Sequence, residues 1–187
     1  MKTGIIKSEF HSFVRPIEKP ILSQYCLNLT GIKQDKVDSA PQLQKVLSNF
    51  DGWLTKVTDE YDLKLPNFPA NNGASENCAF ITWTNFDINF FLASECKRKS
   101  IPMAKYFDRW INLKGVYRGR FSISDSKKCT FTNALKFMHM DFEGQQHSGL
   151  DDSRNLALLT YKLLQMGVYL KWNGQLQEGS CILRLTY

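Results

Sequence analysis

The amino-acid sequence predicts an α/β fold on three observations. Residues 78–83 (CAFITW) form a continuous apolar run of the kind buried on both faces of a parallel sheet. Residues 107–113 (FDRWINL) read as a second buried strand, and the stretch between the two is helical in pattern. From Leu156, apolar residues recur at Leu159, Leu163 and Met166, a helical stripe that faces a core.

The elements follow in chain order. Residues 4–14 (GIIKSEFHSFV) carry β-branched and aromatic side chains in partial alternation and end at Arg15-Pro16, which predicts one strand of an antiparallel pair with an upstream partner. Residues 21–29 predict a short amphipathic helix stopped by Gly31. A longer helix is expected over residues 42–56, with Leu43, Val46, Leu47, Phe50 and Leu54 along one side. Residues 58–77 are polar and contain Pro66, Pro69 and the turn Asn71-Asn72-Gly73, so they read as a surface loop. After the strand at 78–83, residues 87–98 predict a helix with Phe90, Phe91 and Cys96 available for packing. Lys97-Arg98-Lys99 would be its solvated end. A short helix is expected at 130–138. The helix beginning near Leu156 should be capped by Asp151 or Ser153 and stop before Gly167. Residues 169–172 predict a last strand, and the remainder of the tail is unassigned.

Length and composition bound the rest. A chain of 187 residues, 43% hydrophobic, suits one domain with a substantial core. A net charge of +6 and a pI near 9.0 fit a polyanionic partner, although many proteins of this charge bind none. The cysteines Cys26, Cys78, Cys96, Cys129 and Cys181 are odd in number and widely spaced, with no zinc-finger pattern. They read as reduced thiols in an intracellular protein, cytoplasmic or nuclear. No apolar run reaches the length needed to span a bilayer, and residues 1–9 do not resemble a signal peptide.

The chemistry concentrates in residues 147–155, His147-Ser148-Gly149-Leu150-Asp151-Asp152-Ser153-Arg154-Asn155, directly before the Leu156 stripe. A loop there carries groups that can hold a metal or move a proton, and a half-buried helix fixes its position. This nonapeptide resembles the third exonuclease motif of the DEDDh 3′-to-5′ exonucleases, in particular the Eri-type exoribonucleases. The bland alternative is a capped surface helix with an incidental histidine. The resemblance extends from Thr3 to about Gly167. TGIIKSEFHSFVRP, LTGIKQDKVDSAP (residues 29–41) and the phrase from Tyr106 to Lys114 are each similar to Eri-type segments.

What the resemblance implies is an RNase H-like exonuclease fold, a mixed central sheet flanked by helices, with the first strand, bearing Asp-x-Glu, absent from this chain. His147 would be the general base; an imidazole with an ordinary pKa of about 6.5 suits that task at neutral pH. Asp87, at the end of Thr82-Trp83-Thr84-Asn85-Phe86-Asp87, matches the second motif, with Phe86 where the family has tryptophan, and would be a metal ligand with Asp152. The alternative for Asp87 is a helix N-cap. The family uses two divalent ions, Mg²⁺ or Mn²⁺, so weak or partial binding is expected here. Lys114, Arg118 and Arg120, followed by Lys127 and Lys128 and interleaved with Tyr117 and Phe121, are compatible with single-stranded RNA, though the aromatics could equally be core. Asp141-Phe142-Glu143 imitates the first motif but sits four residues before His147, in a connector, and reads as incidental. His11 and His139 read as structural, and residues 59–62 as a solvated acidic turn. The implied function is metal-dependent 3′-to-5′ trimming of RNA, with DNA a further substrate the family allows and the centre incomplete in this chain. A fragment is the preferred reading of that gap. The rival, from another class, is a catalytically inactive RNA-binding or adapter module.

Overall fold

In a computed structural model that describes residues 3–67, 75–125 and 128–176, the elements run α1 (Gln24–Thr30), α2 (Gln34–Asp38), α3 (Leu43–Tyr61), β1 (Ile81–Thr82), a π-helical turn (Phe86–Leu92), α4 (Ala93–Arg98), a 3₁₀ turn (Lys105–Phe107), β2 (Arg109–Asn112), α5 (Leu113–Arg120), α6 (Phe131–Phe137), α7 (Gly149–Gln165) and β3 (Gly174–Gln175). They group into two compact units, Met1–Asp62 with Leu135–Leu163, and Leu63–Ala134 with Leu164–Tyr187.

The first unit is helical. Ser23 caps α1 by accepting the Cys26 N–H at 3.2 Å, so the helix starts three residues later than periodicity suggests. Gly31 ends it as expected, in the left-handed region at φ 68°, with its N–H on the Leu27 carbonyl. Helix α3 is longer than its apolar stripe announces. It continues through Thr58, which is buried, to Tyr61, and Asp62 takes the left-handed cap at φ 49°. Asp59, Glu60 and Tyr61 therefore form the last turn of a helix, and not a free acidic turn.

Residues 4–14 form no strand. They run extended across the unit without a ladder among the described residues, and side chains hold them. Phe10 packs 5.3 Å from Phe50 and 5.7 Å from Trp53, ring to ring, and Trp53 Nε1 donates to Ser8 Oγ at 2.8 Å. At Gly4, φ is +67° and a Cβ would stand 2.6 Å from the Tyr161 ring, so no larger residue fits without displacing it. Composition favourable to a strand is satisfied here by aromatic contacts on α3 and α7.

Helix α7 buries Leu159 and Leu163 as its stripe predicts, but Met166 is 45% exposed and the polar pair Asn155 and Thr160 is buried instead. The helix starts at Gly149, which makes Ser148 the N-cap. The Ser148 carbonyl accepts the Asp152 N–H at 2.8 Å, and Asp151 and Ser153 lie inside the helix. Gly167, at φ +74°, stops it as expected.

The second unit holds the sheet, ordered β1-β2-β3, with β1 and β2 parallel and β2 and β3 antiparallel. The two predicted strands pair through Ile81↔Ile111 and Thr82↔Asn112, extended by Ile111 N–H to Phe80 O and Lys114 N–H to Trp83 O. The last strand lies at Gly174–Gln175 and not at residues 169–172, where Tyr169 is exposed. Gly174 sets that position. It faces Trp110, which is 0% exposed, so closely that any Cβ would collide with the indole. The helix expected over 87–98 begins as the π turn and becomes regular only at Ala93. Ile88 and Cys96 are its buried residues, whereas Phe91 is 62% exposed. Leu65 and Pro66, placed in a surface loop by sequence, are buried; residues 68–74 of that loop lie outside the described residues. Lys114 to Arg120 is helical, and its Tyr117 belongs to the core, 6.0 Å from Trp83 and 4.8 Å from Phe121. The short helix expected at 130–138 is α6, capped by Thr130 Oγ1 on the Asn133 N–H.

Candidate active site

In the first unit the loop before α7 is built to present one residue. Asn155, fully buried, accepts the Glu143 N–H at 3.0 Å and donates to the carbonyls of Glu143 and Asp151, both at 2.8 Å. The Asp151 carboxylate reaches back to accept the Gln145 N–H at 3.1 Å. That bond, a hydrogen bond from the Ser148 hydroxyl and the nearby Arg154 guanidinium hold the Asp151 carboxyl below the usual aspartate range. Arg154 in turn makes two hydrogen bonds to Glu9, at 2.6 and 2.7 Å, which lower the Glu9 pKa and raise that of the arginine.

Between these clamps stands His147, exposed and with φ of 68°. A non-glycine residue in that region costs on the order of 1 kcal/mol, and the hydrogen bonds on either side of it keep the loop in place. The imidazole is thereby held at the mouth of a 17-residue helix with open solvent around it. Asp152 follows one turn on, half-buried, with its N–H on Ser148. Of the two adjacent acids, Asp151 is committed to the loop, and acids in a first helical turn are favoured by the helix dipole. The structure thus brings His147 and Asp152 together on one loop-helix junction.

Asp87 lies in the second unit, in the π turn that follows β1, an insertion type frequent at functional sites. It does not cap the helix. The Phe86 N–H goes to Thr84 Oγ1, and the Asp87 carboxylate accepts from its own N–H and from the Thr84 N–H and hydroxyl. The residue has exposed surface, yet the protein mass around its carboxyl raises the pKa above the ordinary aspartate value, against the pull of those hydrogen bonds. Asp87 and Asp152 both offer hard oxygen donors, which suit Mg²⁺ or Mn²⁺. Among the described residues no group of three metal-ligating side chains occurs.

The expected RNA contacts separate by role. Arg118 folds onto its own turn, donating to the carbonyls of Ile123 and Ser124 at 3.0 and 2.7 Å. Lys114 is half-buried on α5, while Arg120 is exposed and stacks 5.5 Å from Phe121. Lys127 lies outside the described residues. Asp141 and Glu143 are exposed on an irregular stretch, with the Glu143 backbone bound to Asn155. His11 packs against Phe13 at 4.9 Å, and His139 closes the end of α6. Sequence reasoning missed the clamp by Asn155 and the tie from Arg154 to Glu9. The signal for the first was available, since asparagine is a poor mid-helix residue and needs a reason to be there.

A family model described as Exonuclease matches residues 1–68. The 3′-5′ exonuclease Snipper of Drosophila melanogaster is 41% identical over 167 residues, covering 89% of this chain. ERI1 exoribonuclease 2 of Mus musculus is 39% identical over 178 residues, covering 94%. The nuclease domain of 3′hExo, solved bound to rAMP and described as a DEDDh family member, superposes with a TM-score of 0.79 at 28% identity, over 92% of this chain and 79% of that one. Along some nine tenths of its length the chain is similar to the Eri-type DEDDh 3′-to-5′ exonucleases. The α/β architecture with its small mixed sheet is accordingly the RNase H-like fold of that family, whose chemistry depends on divalent metal. The chain spans 58% of the length of Snipper and 25% of that of the mouse relative.

Proposed function

We propose that this chain is one exonuclease-like domain that acts on RNA 3′ ends, with Mg²⁺ or Mn²⁺ as its cation, DNA as a secondary substrate and a catalytic centre of which it carries only some of the acids. The observation that carries the reading is the presentation of His147 by the Asn155 and Asp151 clamps at the start of α7. A solvent-facing imidazole held in a strained, well-tied backbone is arranged for proton transfer.

In this reading His147 accepts a proton from the water whose oxygen attacks the last phosphodiester. The phosphorus–oxygen bond to the penultimate ribose breaks, that 3′ oxygen is protonated, and a nucleoside 5′-monophosphate leaves. Asp87 and Asp152 would each act as a metal ligand, as the family resemblance implies, and a divalent ion would neutralise phosphate charge when bound. Arg120 and Lys114 support binding of the polyanion, and a positive net charge of 6 favours its approach. The unpaired cysteines Cys26, Cys78, Cys96 and Cys129 support an intracellular setting, and no helix among the described residues is long and apolar enough to cross a membrane.

The test is release of labelled monophosphate from 3′-labelled single-stranded RNA by the full-length protein, with Mg²⁺ or Mn²⁺ and with a chelator. The expected result is cation-dependent release that Asp87→Asn and Asp152→Asn each reduce by about a hundredfold or more. Release that persists in chelator, or that both variants leave intact, would remove the two acids from the site. RNA binding without release would assign the chain to the inactive, RNA-binding class.

A further inference from the structure

The second unit contains a cleft of about 890 Å³ lined by Asn85, Asn89, Asp108, Asn173, Gln175 and Leu176, along with Gly174. Its wall is a fixed relay of carboxamides. Asn85 Oδ1 accepts from Trp110 Nε1 at 3.1 Å and from Asn112 Nδ2 at 3.0 Å. Asn173 pairs with the Asn112 backbone on both sides, accepting its N–H at 2.7 Å and donating to its carbonyl at 3.0 Å. Two other carboxamides that line the cleft, Asn89 and Gln175, have no side-chain hydrogen bond to any described residue. Asp108 accepts from Asn67 at 3.3 Å, which leaves most of its acceptor capacity open.

The cleft is separate from the candidate metal ligand. Asn85, which caps the π turn, and Asn89 within it both line the cleft, and Asp87, midway between them in sequence, is absent from the lining. Beside Gln175, its cross-strand partner Arg109 holds its guanidinium 4.9 Å from the Trp172 ring and ion-pairs with Glu76.

We infer that this cleft binds an unpaired nucleobase that carries an exocyclic amino group. Carboxamides present a donor and an acceptor side by side and match the edges of unstacked bases. Asp108 selects among them. Its carboxylate accepts from the amino groups of guanine, adenine or cytosine, whereas uracil flanks its single N–H with two carbonyl oxygens that a carboxylate repels. The same negative charge excludes phosphate from the floor of the cleft. The inference draws on the reading of the chain as an RNA-acting nuclease, but it concerns binding and not hydrolysis.

The experiment follows the side-chain amide signals of Asn89 and Gln175 by NMR, in chelator so that no hydrolysis intervenes, while GMP, AMP, CMP, UMP or a short single-stranded RNA is added to the protein. The expected result is movement of these signals by GMP, AMP and CMP, with binding about tenfold or more tighter than that of UMP. Asp108→Asn should abolish the discrimination while leaving the fold unchanged, and Asn89→Ala with Gln175→Ala should weaken all binding. Movement by monophosphates alone makes the ligand a free nucleotide, and movement by RNA as well makes it an unpaired base of the chain. Unmoved signals with every ligand, or UMP bound as tightly as the others, would overturn the inference without touching the trimming reaction.

Discussion

At the scale of single residues, function depends on how a loop is held. Asn155 contributes three hydrogen bonds from a side chain with no exposed surface, tying Glu143 to Asp151 across the loop that carries His147. Asn155→Ala removes three part-buried hydrogen bonds to the Glu143 and Asp151 backbone and should lower stability by about 1–3 kcal/mol, with His147 losing its fixed position. Chemical denaturation measures the first effect. The RNA trimming rate, assayed well below the melting range, measures the second. Glu9 gives a pH-dependent counterpart. Its hydrogen bonds from Arg154 depress its pKa in the folded state. The pair therefore stabilises in full above the unfolded glutamate value of about 4.3, and its contribution disappears as pH falls through the lower folded value. Glu9→Gln should be less stable than the parent at neutral pH, and the two unfolding curves should converge on acidification. Curves that stay parallel down to strongly acidic pH would show that the ion pair contributes nothing.

Elements show where a sequence is legible and where it is not. Helices α3 and α7 follow apolar periodicity, because one helix face registers in the order of residues whatever it packs on. The parallel strands β1 and β2 follow from unbroken apolar runs. The extended segment 4–14 has strand composition but no ladder among the described residues, since pairing depends on a partner and not on composition. Strand β3 was displaced from residues 169–172 for a related reason: Trp110 accepts only a glycine opposite it, and Gly174 is the residue available. Gly174→Ala drives a methyl group into a fully buried indole and should cost about 1–3 kcal/mol or more. Measured thermal unfolding equal to that of the parent would mean that β3 is not held against β2 as described. The candidate residues His147 and Asp152, and separately Asp87, could be picked out because each belongs to a short motif continuous along the chain. The clamp by Asn155, the commitment of Arg118 to its own turn and the amide-lined cleft depend on contacts between distant or irregular segments, which a local pattern does not encode.

For the whole molecule, the likeness to the Eri-type exonucleases and the presentation of His147 reduce the proposal to one chemical statement: water is activated at that imidazole and RNA shortens from its 3′ end. The most direct measurement is the product pattern from 5′-labelled single-stranded RNA with Mg²⁺, comparing the parent protein with His147→Ala. The exposed side chain makes no contact the fold needs, so the variant should fold normally. The account predicts a ladder of products shorter by single nucleotides for the parent, and shortening slower by about 10²–10⁴-fold for the variant. An equal ladder from both proteins would contradict it.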